Sequence, residues 1–574
     1  MGTISDKLMR IISTKEDIRQ ALISKGYDVP TSIPFKEYAK MILDLPCKAD
    51  SFPDIEGIVA RYSASGLTNE QMAANPVWVD KTGNGHDLQL KNFSWKGMSG
   101  IGGYVADIDE WGTNSTAAYF ERNSIKITAT FKENVSLGLL YHNIKLRQSC
   151  VLKVTGIPEG CDAFLDDRLG NRFYMSEDGV YEIIPSNFLA EALYFYIEKY
   201  PERWYGSKLT IEQLPLYPGA LVFDGVDDYG VCDNFPILTK EKGYTVVALR
   251  QWITYNPNAI SAIATNASDQ SFNGAFTFEN YNKGAEQTIS YGATQITLQY
   301  SKSPFSWQTT SKYNGVNIAN GKKDATNSLV LGRSYPQRNE FANFAIWELV
   351  FLDHDATEEE LTKIKDYFVK TYPWLFFDQA WTVTGKTNED EDRATIANIT
   401  GNGNNLVLSN FGFIEGSGYN EEGQYAGYLV TDGVDDKIAS SDFKMGKDFT
   451  IVGDWKFIDN KKSGTGLVKG SSFYIYNTMI GFDLYINSGS VKNSLDGIKS
   501  INAACSDGRA YDRNWNEILA NTGNVVGSSG TLEVSSSGGR FDRIAFKNLA
   551  IYPRILSKDD CIKAYNYLQT LKSK

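Results

Sequence analysis

Leu221-Val222-Phe223-Asp224-Gly225-Val226-Asp227-Asp228-Tyr229 and Leu429-Val430-Thr431-Asp432-Gly433-Val434-Asp435-Asp436-Lys437 are two forms of one word. They share Asp-Gly-Val-Asp-Asp, which runs from Asp224 to Asp228 and recurs 208 residues later from Asp432 to Asp436. An apolar run that enters a glycine turn and leaves through two aspartates reads as strand, turn, strand. The recurrence adds weight, because self-similarity along a sequence marks duplicated structural units.

Two more words flank it in the same order. Upstream, Thr82-Gly83-Asn84-Gly85 leads into Leu88 and Leu90, and Thr400-Gly401-Asn402-Gly403 leads into Leu406 and Leu408, an offset of 318 residues. Gly and Asn tolerate positive φ, and the alternating leucines predict a half-buried strand. Downstream, AIWELVFL at 345–352 aligns with AFKNLAIY at 545–552, each followed by a capped helix that starts near Thr357 or Ser557. Three paired blocks predict a tandem duplication.

The two upstream offsets differ by 110 residues, so the first copy carries that much extra chain between its first and second words. An insert at 107–217 follows, with strands expected at 125–131, 149–154, 172–175, 180–184, 192–197 and 208–213. Surface loops tolerate such insertions. The resulting division is an N-terminal helical module at 1–49, a first sandwich at 50–106 plus 218–375, an inserted small β-sandwich at 107–217, and a second sandwich at 376–574. Residues 373–394 read as a connector, and the Gly- and Ser-rich 528–539 as a loop.

Bulk composition agrees with a mainly β fold. The 574 residues suggest about three to five domains, and 33 Tyr, 30 Phe and 50 Gly suit strands and turns better than helices. A net charge of −12 without any Lys/Arg block excludes nucleic acid as the main partner. The six cysteines are dispersed with no Cys-x-x-Cys. Cys150 and Cys161 are spaced to bridge a hairpin, but the set reads as buried free thiols of a protein made in a reducing cytoplasm. No apolar run approaches the roughly 20 residues that span a bilayer, and residues 1–12 lack a signal-peptide core.

Residues 1–45 differ from the rest. Leu8, Ile11, Ile12, Ile18 and Leu22 fall at helical spacing, and Phe35, Tyr38 and Ile42 share one face of a second short helix after Pro34. Such a hairpin is too small to bury its own core. These eight residues are therefore the expected anchoring interface, toward a partner or other copies of the chain.

DIRQALISKGYDVP at 17–30 and IPFKEYAKMI at 33–42 resemble a module that heads phage head-fibre or tail-associated chains, as in crAss-like gut phages. The ordered repeat words resemble laminin-G-like, concanavalin-A-like jelly rolls, two antiparallel sheets packed face to face, over 54–106 plus 218–372 and again over 376–572. The second copy departs from the pattern with Thr431 for Phe223, Lys437 for Tyr229, and Ala397 near the place of Trp78. The resemblance implies a non-enzymatic component of a phage particle. It would be a head fibre or similar appendage, made in the host cytoplasm and located in the virion. Its N-terminus would bind other virion proteins of capsid or tail, it would form a homo-oligomer, and its outward sandwiches would adhere to glycans or the host surface. It implies no cofactor, no nucleic acid and no membrane insertion. The other readings are a tail-associated receptor-binding protein, a concanavalin-like glycoside hydrolase, and a cell-surface adhesin, the last lacking any visible export signal.

Glycosidases on this fold carry Glu-x-Asp-x-x-Glu on one strand, so that alternation aims the acids into one groove. The nearest string, Asp107-Ile108-Asp109-Glu110, begins with Asp and would turn Glu110 to the opposite face, while Glu177-Asp178-Gly179 is a turn word. No catalytic residue is assigned. Asp224, Asp227, Asp228, Asp432, Asp435 and Asp436 are the calcium candidates, but calcium takes six to eight oxygens and these acids read first as turn formers. The EF-hand-like start at 80–85 fails because Lys91 stands where the bidentate Glu belongs, and His86, His142 and His354 form no spaced ligand pair. Among the tryptophans, Trp78, Trp252 and Trp347 read as core. Trp95, Trp111, Trp204 and Trp515, nearer Gly, Asn or Lys, are the glycan-contact candidates.

Overall fold

The computed structural model describes residues 52–105, 118–123, 125–132, 138–144, 150–166, 172–183, 193–238, 243–254, 262–267, 277–278, 295–300, 325–333, 339–401, 404–421, 425–459, 465–469, 473–477, 481–486, 494–496, 501–512, 514–519, 528–537 and 540–573. The helical module at 1–49 with its anchoring residues, the string 107–110 and Trp111 lie outside them.

The fold is mainly β, built from antiparallel sheets that pair into sandwiches, with few helices. Each large sandwich is centred on its closing strand, Asn343–Leu352 or Arg543–Tyr552. Asn343–Leu352 pairs along one edge with Thr245–Thr254. Its other edge is shared by Leu221–Asp224 and Ile58–Ser63. The opposing sheet runs Thr277–Phe278, Ala264–Ala267, Ala325–Leu331, Tyr229–Cys232, Leu88–Lys91, Val77–Trp78. Arg543–Tyr552 has matching neighbours: Thr450–Asp459 on one edge, Tyr428–Val430 and Gln379–Thr382 on the other. Residues 379–382, expected within a connector, are therefore a strand of the second sandwich, in the position that Ile58–Ser63 holds in the first. Residues 528–534, expected as loop, form the strand Ser528–Val534, paired with Lys437–Met445 and burying Leu532 and Val534.

Both closing strands are buried at nearly every position because both of their faces are covered. In the first, Phe344, Ile346, Leu349 and Phe351 fill the space between the sheets. Ala345, Trp347, Val350 and Leu352 face an outer layer of helices. The parity changes at a β-bulge: Leu249 pairs with Glu348 and Arg250 with Ile346, so Trp347 is the extra residue. Trp347 and Glu348 thus both turn outward, as a bulge allows. The second copy places the bulge identically, with Asp454 opposite Asn548 and Trp455 opposite Phe546.

The short helices α1 (Asn69–Ala74) and α2 (Pro201–Trp204) precede two longer ones, α3 (Glu358–Thr371) and α4 (Lys558–Leu568), each of which follows a closing strand. Thr357 and Glu360 form a reciprocal capping box on α3, and the Ser557 side chain accepts from Asp560 N at 3.1 Å on α4. Ile364, Tyr367 and Phe368 of α3 and Ala564, Tyr565 and Leu568 of α4 enter one buried cluster that also takes Trp347 and Tyr552 from the two closing strands. That cluster joins the sandwiches. Tyr552 Oη donates to Trp374 O at 2.9 Å, and the Trp347 and Tyr567 rings meet edge to face at 6.3 Å.

Between Ile101 and Leu221, which pair directly across the sheet, the chain makes a smaller unit of its own. Gly179–Ile183, Cys150–Thr155, Lys208–Gln213, Lys126–Phe131 and Ala118–Arg122 form one sheet. Arg172–Met175, Asp162–Asp166, Leu193–Glu198 and Gly138–Ile144 form the other. A separate core, including Phe131, Leu165 and Trp204, fills it. Cys150, Cys161, Cys232, Cys505 and Cys561 are all buried free thiols.

Candidate binding site

The repeated acidic turns are matched bond for bond. Asp224 Oδ1 accepts from Val226 N at 2.7 Å, and Asp432 Oδ1 from Val434 N at 2.7 Å. Asp228 Oδ2 accepts from Asp224 N at 3.0 Å and Oδ1 from Ser99 Oγ at 3.0 Å; Asp436 repeats this with Asp432 N at 2.7 Å and Ser417 Oγ at 3.1 Å. Asn92 and Asn410, both at positive φ, each donate from Nδ2 to the carbonyl of Asp227 or Asp435 at 3.0 Å. Each turn therefore clamps a loop that lies far away in sequence.

One carboxylate oxygen from each of Asp224, Asp227 and Asp228 lies within 4.8 Å of the others, and the second trio does the same. Asp228 and Asp436 are fully buried, however, and both oxygens of each are engaged by the turn. Burial pushes the Asp228 carboxyl up to about 7 and that of Asp436 to about 6, against the amide and hydroxyl donors that pull the other way. Calcium titrated into the protein is expected to leave its thermal unfolding unchanged, which calorimetry with and without chelator would check. The Asp80 loop gives a parallel: Asp80 Oδ1 accepts from Arg61 N and Thr82 N, both at 3.0 Å. In the second copy Asn398 Oδ1 accepts from Ala380 N and Thr400 N, both at 3.2 Å, so this loop needs an acceptor and no charge.

Gly225 and Gly433 sit at φ 75° and 74°. A Cβ on Gly225 would stand 2.7 Å from Asn343 Cβ, whereas one on Gly433 would stand 3.2 Å from Arg543 Cβ. Gly225→Ala should cost about 2–3 kcal/mol and Gly433→Ala about 1–2 kcal/mol, from the left-handed backbone plus the closer contact in the first copy. Urea unfolding of the two variants would test the order.

The tryptophan candidates divide. Trp95 is half-buried, stacked on Phe93 with centroids 4.9 Å apart. Trp204 is a correction: it is fully buried against Phe131 in the core of the inserted unit. Trp515 is another, 2% exposed and packed edge to face on Tyr565. Polar neighbours misled in both cases, because Gly206 and the flanking Asn514 and Asn516 belong to turns that keep their backbone at the surface while the indole points inward.

Trp515 nevertheless helps to form a cleft of about 620 Å³. Its walls are the edge of the inserted sheet around Lys153 and Val180, the segment 214–219 that returns from the insert, the 514–516 turn and the outer face of α4. Leu214, Pro215, Pro218 and Ile562 supply apolar surface. Three residues around it each carry a polar atom that is closed off from solvent and lacks a hydrogen-bond partner, Asn514 Oδ1, Trp515 Nε1 and Asn566 Oδ1, in contrast to the great majority of buried polar groups. The Asn514 amide is fixed in orientation: its Nδ2 donates to Glu177 of the inserted unit, so Oδ1 is the atom left over. Both rim carboxylates are accounted for locally. Asp178 Oδ1 takes the amides of Gly156 and Ile157, and Asp559 lies in the first turn of α4.

No family model matches the chain, and no curated protein matches it. Among solved structures it is distantly similar to Trypanosoma rangeli sialidase, at 9% identity and TM-score 0.25 over 79% of this chain and 83% of that one. A mutant of that sialidase displaying trans-sialidase activity gives 10% identity and TM-score 0.22, over 49% of this chain and 48% of that one. A point mutant of HCR/D gives 9% identity and TM-score 0.21, over 56% and 84%. Values this low carry no argument about activity. Among the described residues, no helix is long and apolar enough to cross a membrane.

Proposed function

We propose that the chain is a non-enzymatic component of a phage particle, a head fibre or similar appendage attached through residues 1–45, whose sandwiches face outward and bind glycans or another host-surface ligand. The binding role rests on the cleft, a concave site of about 620 Å³ with an apolar wall, where the inserted unit, the 514–516 turn and α4 meet. Sites of this size and character are the usual place for small ligands, and they occur preferentially where domains meet. The attachment role rests on the words at 17–30 and 33–42 and on the apolar faces they carry. Light scattering and negative-stain imaging of the full chain, against a version lacking residues 1–45, test it. The truncated form should lose both oligomer and particle attachment; if it keeps both, the anchor is wrong. A reducing-sugar assay on polysaccharides should give no release, and sustained release would favour the hydrolase reading.

A further inference from the structure

Cys505 and Cys561 are hydrogen-bond partners, one closing the strand Ile501–Cys505 and the other the fourth residue of α4. The bonds around them fix this approach. Thr450 Oγ1 lies 3.5 Å from Cys505 Sγ, which in turn lies 3.9 Å from Leu556 O. Leu556 stands just before the Ser557 cap, and Cys561 N donates to Ser557 O at 2.9 Å, so the sulfur at the strand's end faces the first turn of the helix. Both thiols are fully buried in the cluster that joins the sandwiches.

The repeat separates the inherited part of this arrangement from the acquired part. Thr245 and Thr450 hold one register position, opposite Leu352 and Tyr552. Each Oγ1 donates to the carbonyl of His354 or Arg554 and accepts from the amide of Ala356 or Leu556, at 2.8–2.9 Å. The threonine bracket therefore belongs to the fold. The thiols do not. Thr245 pairs with Tyr300 where Thr450 pairs with Cys505, and Leu361 holds the place of Cys561 four residues after the cap.

The hydrogen bond from Cys561 draws the Cys505 thiol below its ordinary value against the burial that raises it, with the Thr450 hydroxyl and the Arg509 guanidinium assisting. The same bond, and then burial, hold Cys561 well above its ordinary value. Cys505 is thus the thiol that ionises and attacks, and Cys561 the one that resolves. We infer that Cys505 and Cys561 are an oxidisable pair, which hydrogen peroxide closes to a disulfide that staples α4 to the second sandwich. The Cys505 thiolate attacks one oxygen of the peroxide; the O–O bond breaks, leaving a sulfenic acid and hydroxide. The Cys561 sulfur then attacks the Cys505 sulfur, the S–O bond breaks, and the Cys561 proton leaves with the hydroxyl as water. Two thiols are oxidised and one peroxide becomes two waters. Because both sulfurs are buried, the oxidant enters through local opening at the start of α4, so closure is slow on the native protein and faster in dilute urea. In a reducing cytoplasm the pair stays as thiols.

The test is mass spectrometry of the full chain incubated with hydrogen peroxide, in buffer and in urea below the unfolding transition, with peptide maps before and after dithiothreitol. The unaltered protein should lose two hydrogens and yield one linked peptide pair, containing Cys505 and Cys561, that the reductant separates. The link should raise Tm by roughly 5–15 °C, reversibly. Cys505→Ser and Cys561→Ser should each abolish the link and the rise, with circular dichroism confirming the fold. In Cys561→Ser, dimedone should trap Cys505 as its sulfenic acid. Peroxide that leaves both thiols free in urea as in buffer, or takes Cys505 to the sulfinic acid without linking it, would overturn the pair. So would a link between other cysteines that forms while Cys505 and Cys561 stay reduced.

Discussion

Arg61→Met should destabilise the protein by about 3–5 kcal/mol, the usual cost of stripping the partner from a buried charge. Glu348 is wholly buried at the bulge of the closing strand. Arg61 Nε donates to its Oε2 at 3.2 Å, and Nη2 donates to Oε1 at 3.4 Å and to Tyr367 Oη at 2.8 Å. Tyr372 Oη completes the site by donating to Oε1 at 2.8 Å. The guanidinium also lies 4.1 Å over Phe52 and 5.0 Å over Tyr367. Without Arg61 the carboxylate keeps the two tyrosine hydroxyls and loses the guanidinium that faces it. The second copy has neither member of this pair. The residues paired in the same register are Ala380 with Ala550 where the first copy has Arg61 with Val350, and Asn548 stands where Glu348 does. Arg61→Met combined with Glu348→Gln, which keeps the volume and the acceptor for Tyr372, should therefore recover most of the loss. Urea unfolding of the two singles and the double gives the coupling directly. If Arg61→Met alone unfolds like the unaltered protein, the pair contributes nothing.

How far the sequence could be read depended on the range of the interactions involved. The turn words were legible because their bonds are local, two to four residues apart: Asp224 to Val226, Asp228 back to Asp224. What those same aspartates also hold, the Ser99 hydroxyl 129 residues away, leaves no local trace. The closing strand was visible as an apolar run, but a run buried on both faces has no alternation. The bulge that turns both Trp347 and Glu348 outward was accordingly invisible. Serine and glycine dominate Ser528–Val534 and read as loop, though Leu532 and Val534 keep the period of two that a strand requires. The cleft is the extreme case. Segments around 153, 180, 216, 515 and 562 meet there, and only Asn514-Trp515-Asn516 was noticeable alone, as a tryptophan between two turn formers.

The duplication also separates what the fold requires from what one copy has acquired. Tyr62 Oη donates to the His86 carbonyl, and in the second sandwich Trp381 Nε1 donates at 2.8 Å to the carbonyl of Asn404, at the same place relative to its turn word. Different side chains thus make one bond, so the bond belongs to the fold. Trp78 has Ile396 at its register position, each paired to the first leucine of the following strand, so bulk is needed there and the indole is not. The cleft has no counterpart of this kind. Its walls include the inserted unit, which interrupts the first copy alone, and a turn of the second. A feature that needs both departures from the repeat is a better place to look for function than any part the two copies share.

Asp228→Asn should make the first sandwich more stable at neutral pH and flatten its dependence on acidity. The carboxyl, fully buried, is pushed up to about 7 from an ordinary 3.8, with burial as the first cause and the neighbouring Asp224 and Asp227 charges adding to it. A group whose folded pKa is raised binds its proton more tightly when folded. Its contribution is therefore complete below pH 3.8 and is lost as pH rises through about 7. Holding the charge in the folded state above that point costs on the order of 4 kcal/mol. Asp436, with a carboxyl near 6, should show the same trend over a narrower window and to a smaller extent. Asn fits the site: its Oδ1 can take the Asp224 amide while its Nδ2 donates to Ser99 Oγ, which accepts as readily as it donates. Unfolding free energies measured from pH 4 to 8 should fall with pH in the unaltered protein and fall less in the variant. The two curves should meet toward the acid end, where Asp228 is already neutral. A variant uniformly less stable across that range would mean that the carboxylate and its two bonds outweigh the cost of burying it.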